Sequence, residues 1–139
     1  MKKSCGAIIF YRENSKILFL LLKYPNYWGF PKGESEKNES EIETAKREIK
    51  EETGLDVNFI FGFRHEHEYS YYLKGKLITK KAILFLAESK TKDVKISWEH
   101  EDYKWLDYEN ALKLLTYEKD KEALKKAYEY LKNVLRISI

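Results

Sequence analysis

Three glutamates, Glu48, Glu51 and Glu52, occupy the i, i+3 and i+4 positions of a stretch rich in helix-forming residues. On a helix such residues share one face, with Cβ atoms about 5–6 Å apart. Their like charges repel, and a divalent cation would turn that repulsion into attraction. Carboxylate oxygens suit a hard ion, Mg2+ or Mn2+, and no Cys/His cluster here has zinc spacing. Mg2+ ordinarily binds through one or two carboxylates, several waters and the substrate's phosphate oxygens. A surplus carboxylate can hold a second ion or serve as general base for an attacking water. The alternative reading is a solvated acidic helix face.

Other elements must position these groups. Within Gly33–Leu55, Ser40 or Asn38 can cap a helix, Glu41 and Glu43 suit its positive N-terminal end, and Thr53-Gly54 is a stop signal. Ile42, Ala45 and Ile49 point to the core, while Glu41, Glu48, Glu51 and Glu52 lie towards a different side. The stretch before it, 24–31, is an aromatic-rich loop holding the chain's only prolines, Pro25 and Pro31, which stiffen the approach to Lys32-Gly33. Residues 4–11 and 16–23 read as an antiparallel hairpin turning at Glu13-Asn14-Ser15. Residues 55–72 read as one or two strands, with Leu55, Val57, Phe59, Phe61 and Phe63 on one side. A turn at Lys74-Gly75-Lys76 leads into a partner strand over 77–87. A polar loop at 89–93, an acidic loop at 98–102 and a short strand at 103–106 follow. Two amphipathic helices, 108–115 and 119–135, complete the chain, the second with Leu124, Ala127, Leu131 and Leu135 as its core stripe. This order predicts an α/β (α+β) fold in which a mixed sheet carries helices on both faces, as a single domain over 1–139.

The chain has 139 residues, 43 % hydrophobic and 35 % charged, enough for a real core and unlike a disordered segment. A net charge of +3 suits an anionic ligand without arguing for duplex nucleic acid. The single cysteine, Cys5, excludes an internal disulfide, and its apolar neighbours make it a buried strand thiol rather than a nucleophile. The longest apolar run, Ile17–Leu22, is far short of the ~20 residues that span a bilayer. Met1-Lys2-Lys3 leads into no secretory h-region, because Tyr11, Arg12 and Glu13 interrupt it. No membrane association and a cytoplasmic location are expected. Nothing in the sequence speaks to the oligomeric state.

The spacing of the central stretch is more specific than its charge. Gly33, Glu39 and Arg47-Glu48-Ile49-Lys50-Glu51-Glu52-Thr53-Gly54-Leu55 fill every position of the pattern G-x5-E-x7-R-E-U-x-E-E-x-G-U, where U is a bulky aliphatic residue. This is the signature box of the Nudix hydrolases, which the chain resembles. The resemblance implies an α/β/α sandwich and cation-dependent hydrolysis of a nucleoside diphosphate linked to another moiety. It implies that Glu48, Glu51 and Glu52 bind metal, that the Gly33 carbonyl contributes, and that Arg47 and Glu39 orient the carboxylates. Lys37-Asn38 stands where the family usually has a glycine turn, and Asn tolerates the left-handed conformation such a turn needs.

Beyond the box, residues 5–10, 28–33 and 99–106 resemble the asymmetrical diadenosine tetraphosphate hydrolases within that family. The phrase Trp28-Gly29-Phe30-Pro31-Lys32-Gly33 is also shared in part with RNA 5′-pyrophosphohydrolases. The resemblance implies a dinucleoside polyphosphate substrate, cleaved by water to ATP and AMP. It places Tyr69 against an adenine, with Tyr71 and Tyr72 nearby. Lys32, Lys80, Lys81 and His65 are candidate phosphate contacts. Glu99, or its neighbour Glu101, is a candidate extra carboxylate, and Glu51 or Glu99 would take the water's proton. His67 shares a strand face with His65, and His100 has no evident role. The competing readings are an RNA 5′ end or an oxidised nucleoside triphosphate as substrate, and a non-catalytic nucleotide-binding protein. The last usually lacks some of the glutamates, all of which are present here.

Overall fold

The computed structural model describes residues 1–135. Its strands are β1 (Lys2–Glu13), β2 (Lys16–Tyr24), β3 (Tyr27–Gly29), β4 (Lys32–Glu34), β5 (Val57–Phe59), β6 (His65–Leu73), β7 (Lys76–Ser89) and β8 (Asp102–Leu106). Its helices are α1 (Glu41–Thr53), α2 (Tyr108–Leu114) and α3 (Glu118–Val134). Among the described residues the strands form one mixed sheet, with path β3-β2-β1-β7-β5. β1 and β7 run parallel through its centre, with Cys5 opposite Ile83, and the other pairings are antiparallel.

The apolar run of β1 lacks alternation because both sheet faces are covered. Ala7 and Ile9 pack with Leu20, Leu22 and Ile49 on the α1 side. Ile8 and Phe10 pack with Phe19, Leu21, Leu124, Ala127 and Leu131 on the α2–α3 side. The result is the expected α/β/α sandwich.

The central helix begins at a capping box: the Ser40 hydroxyl accepts from the Glu43 N–H, and the Glu43 carboxylate accepts from the Ser40 N–H. Of the two candidate caps, Ser40 is therefore the one used. Asn38 instead takes the left-handed turn just before it, at φ 69°. Gly54 ends the helix at φ 72°, its N–H on the Lys50 carbonyl.

Three local expectations change. The approach to Gly33 is not only a stiff loop, since Lys32–Glu34 pairs with β1 and Tyr27–Gly29 with β2. The stretch 55–72 forms two strands, β5 and β6, within the expected one or two, but the chain turns between them around Gly62, at φ 110°. Phe61 falls in that turn and is 75 % exposed, and the buried Phe63 packs on the α2–α3 side while Leu55, Val57 and Phe59 pack on the α1 side, so the inferred one-sided row ends at Phe59. Glu41 leaves the other glutamates and pairs with Lys3 and Arg64, each at 2.9 Å. No helix among the described residues is long and apolar enough to cross a membrane.

Candidate active site

Arg47 organises the carboxylates of α1. Its Nε donates to Glu39 Oε2 at 2.7 Å and its Nη2 to the Glu34 carbonyl at 3.0 Å. Its Nη1 donates to Glu48 Oε1 at 2.8 Å and to Glu51 Oε2 at 3.2 Å. The guanidinium thus ties the loop before the helix to two helical carboxylates through charge-assisted bonds. It also holds the Glu39 carboxyl down at about 2. Gly33 packs its backbone directly against the Glu48 carboxylate, and any Cβ at this position would collide with that group. The glycine of the signature is therefore a requirement of close approach.

The three glutamates do not share one environment. Glu51 stays at the rim, with its side chain 57 % exposed, and Glu52 is buried. Burial, and then its hydrogen-bonded contact with Glu48, push the Glu52 carboxyl up to about 9. The Tyr24 hydroxyl, which donates to the Phe30 carbonyl at 2.8 Å, lies 3.4 Å from Glu52 Oε1, and His100 Nε2, buried and without a hydrogen bond, lies 3.6 Å from the same oxygen. The loop that carries His100 is fastened to the helix, with Ser97 N–H on the Glu52 carbonyl at 3.2 Å and Glu101 N–H on the Lys23 carbonyl at 2.9 Å. That loop exposes Glu99 close enough for its charge to act on Glu52.

Among the described residues no three His, Cys, Asp or Glu side chains already converge as a cation cage, because Arg47 draws Glu48 and Glu51 to itself. The donor set nevertheless fits a hard divalent ion. It joins oxygen ligands only, a Glu48 carboxylate pressed on the Gly33 backbone, and a buried Glu52 whose carboxyl is pushed up to about 9 by burial and by its neighbour Glu48.

Beside these carboxylates opens a cleft of about 690 Å3 between β6, β7 and the start of α3, lined by Tyr27, Tyr69, Tyr71, Tyr117, Lys32 and Lys80 among others. Lys32 links it to the acidic cluster. Its ammonium lies 5.2 Å from the Tyr69 ring, 5.6 Å from Tyr27 and 5.5 Å from Tyr24, the residue that also touches Glu52. Tyr69 is held by a 2.9 Å hydrogen bond with Ser4, and Lys80 by a 3.0 Å ion pair with Glu34. A second hollow, of about 670 Å3, lies beyond the end of α1 and has no aromatic lining and no candidate residue.

Strand alternation sorts the remaining candidates. Lys80, opposite Tyr69, faces the cleft, while Lys81 turns to the other face and meets Glu66 at 3.4 Å. His65 is buried behind the cleft, with Nε2 unpartnered, and does not line it. Tyr71 and Tyr72 both reach the cleft, Tyr72 as a rim residue 76 % exposed. The cleft also contains residues that sequence reasoning left without a role: Tyr27, His67, Tyr117 and Asp120. The aromatic density of 24–30 was a visible signal for Tyr27. Asp120 had none, because an acid in a helix's first turn is ordinarily explained by the helix dipole.

Comparison with known proteins agrees with this geometry. A model of the NUDIX domain family matches residues 2–128. The asymmetrical bis(5′-nucleosyl)-tetraphosphatase of Sus scrofa is 38 % identical over 143 residues, covering 93 % of this chain and 95 % of that protein. Its counterpart in Caenorhabditis elegans is 34 % identical over 134 residues, covering 93 % and 96 %. The crystal structure of a C. elegans Ap4A hydrolase binary complex superposes with a TM-score of 0.82 at 31 % identity, covering 94 % of this chain and 98 % of that one. With the full signature on α1 and a sheet held between helices, the chain belongs to the NUDIX domain family.

Proposed function

We propose that this protein hydrolyses diadenosine tetraphosphate to ATP and AMP, with Mg2+ or Mn2+ as cofactor. The observation that carries the reading is the direct junction, through Lys32 and Tyr24, of a carboxylate cluster with a tyrosine-lined, lysine-flanked cleft. A dinucleoside polyphosphate needs both: cation and lysines for its phosphates, and aromatic faces for a base. The similarity to asymmetrical tetraphosphatases over 93 % of the chain supports the same substrate.

In this reading Glu48, Glu52 and the Gly33 carbonyl would hold the cation, with Glu51 available to join them from the rim. A bound divalent ion would neutralise the phosphates and lower the pKa of a coordinated water. Arg47, anchored by Glu39, positions Glu48 and Glu51. Because Arg47 engages Glu51, Glu99 is the carboxylate to which we assign the attacking water's proton. Tyr27 and Tyr69 offer stacking faces to one base, and such stacking contributes roughly 1–3 kcal/mol. Lys32 and Lys80 meet phosphate oxygens. Lys81 and His65 have no part, given where their side chains lie.

The test is turnover with Mg2+ across diadenosine tetraphosphate, triphosphorylated RNA, 8-oxo-dGTP and ADP-ribose. Diadenosine tetraphosphate should turn over fastest and give equimolar ATP and AMP. Equal or faster turnover of the RNA would overturn the substrate assignment.

A further inference from the structure

We propose that His100 positions Glu52: its buried Nε2–H donates to Glu52 Oε1 when a divalent ion is bound, and so leaves the second carboxylate oxygen turned to the ion. This rests on the cation site proposed above, and it gives that site a residue from outside the signature stretch.

The His100 side chain is 1 % exposed and that of Glu52 7 %. Backbone and ring contacts both fix the imidazole. The His100 N–H donates to the Ser97 carbonyl at 3.1 Å, the Ser97 N–H to the Glu52 carbonyl at 3.2 Å, and the Glu101 N–H to the Lys23 carbonyl at 2.9 Å. The ring packs edge-on against Tyr24, with 4.5 Å between centroids and 72° between planes. Yet Nε2 has no hydrogen-bond partner among the described residues. Leaving a buried polar nitrogen unpaired is costly, so a nitrogen held this firmly implies a partner.

Glu52 supplies it. Oε1 stands 3.6 Å from Nε2, only about half an ångström beyond hydrogen-bond length. The Tyr24 hydroxyl also lies 3.4 Å from that oxygen, but its single hydrogen goes to the Phe30 carbonyl at 2.8 Å. Ser97 decides which ring nitrogen can donate. Its Oγ lies 3.1 Å from Nδ1 and has no other hydrogen-bond partner among the described residues, so the hydroxyl hydrogen goes to Nδ1. A neutral imidazole carries one hydrogen, which then sits on Nε2 and faces the carboxylate. A cation holds Glu52 as a carboxylate, and carboxylates draw N–H donors in to about 2.7–2.9 Å. Ligating carboxylates are themselves hydrogen-bonded, and losing such a partner costs about 10–100-fold in metal affinity or activity.

Mn2+ binding to the substrate-free protein, read from the loss of the free-ion EPR signal, separates positioning from packing. His100→Phe keeps a ring against Tyr24 and removes the donor. His100→Gln gives up the ring and brings an amide N–H to about the place of Nε2. His100→Gln should bind Mn2+ within about threefold of the wild type, and His100→Phe about tenfold or more weaker. If the wild type binds Mn2+ and His100→Phe binds it as tightly as His100→Gln, the cation site stands and the proposal is overturned. A second measurement depends on no variant. Nitrogen NMR of the Mg2+-loaded wild type should find the His100 ring hydrogen on Nε2, and a hydrogen on Nδ1 alone overturns the proposal. A wild type that binds no Mn2+ overturns the cation site and this proposal together. If the Mn2+ order holds but diadenosine tetraphosphate is not cleaved, the substrate assignment fails and the positioning role stands.

Discussion

The carboxylate cluster and the tyrosine cleft lie side by side but are built differently. Apart from Glu99 and His100, the cluster comes from the single stretch Gly33–Leu55, where a capping box, a helix and one arginine set the relative positions of Glu39, Glu48, Glu51 and Glu52. The cleft takes Tyr27 from β3, Tyr69 from β6, Lys80 from β7 and Asp120 from α3. The first is a local device that a chain can carry as a motif. The second exists only once distant strands and a helix have met. A change in the cluster should therefore act on the chemical step, and a change in the cleft on binding and choice of substrate.

That division can be broken by experiment. Glu52→Gln should have the largest effect. It removes a proposed ligand worth several kcal/mol of transition-state stabilisation, that is, about a thousandfold or more in kcat. Nucleotide binding should persist. A variant retaining even a tenth of wild-type kcat would remove Glu52 from the chemistry.

Next, Arg47→Ala should lower kcat by about a hundredfold, in the range seen when groups that orient metal ligands are lost. It should also lower thermal stability, because Glu39, Glu48 and Glu51 lose their common partner. A purely structural Arg47 would give the loss of stability with kcat unchanged.

In the cleft, Tyr69→Ala should raise KM by about tenfold with little change in kcat, the size of one stacking interaction. Lys80→Ala should raise KM by a few-fold, and Lys81→Ala should do less, because Lys81 lies on the opposite face against Glu66. A larger effect from Lys81 would mean that strand alternation had been misread.

A smaller effect concerns stability and pH without divalent ions. The Glu52 carboxyl rises from 4.5 to about 9 on folding, so the folded state binds its proton more tightly. Its contribution to stability is full below the unfolded value and is lost as pH rises towards about 9. Glu39 and Glu41, held at about 2, contribute above their unfolded value and do not change over this window. Cation-free protein should therefore lose Tm between pH 6 and pH 9 in EDTA, and Glu52→Gln should flatten that slope. An equal slope in both would show that Glu52 is ionised throughout.

The sequence by itself determined the helix, its stop at Gly54 and the family signature, because each depends on residues a few positions apart. Strand alternation was legible as well, and it separates Lys80 from Lys81 once β6 and β7 are paired. Three things required the tertiary structure. Glu52 is buried while Glu51 is exposed, though both lie in one acidic run, because only packing against Tyr24 and the 97–101 loop distinguishes their sides. Phe61 is exposed because Gly62 turns the chain out of a row of aromatics. Asp120 reads as an ordinary acid at a helix start, and it becomes a buried carboxylate lining the cleft only when α3 closes over β3 and β6. Burial and long-range pairing are properties of the assembled chain, and no local pattern encodes which groups they leave unsatisfied.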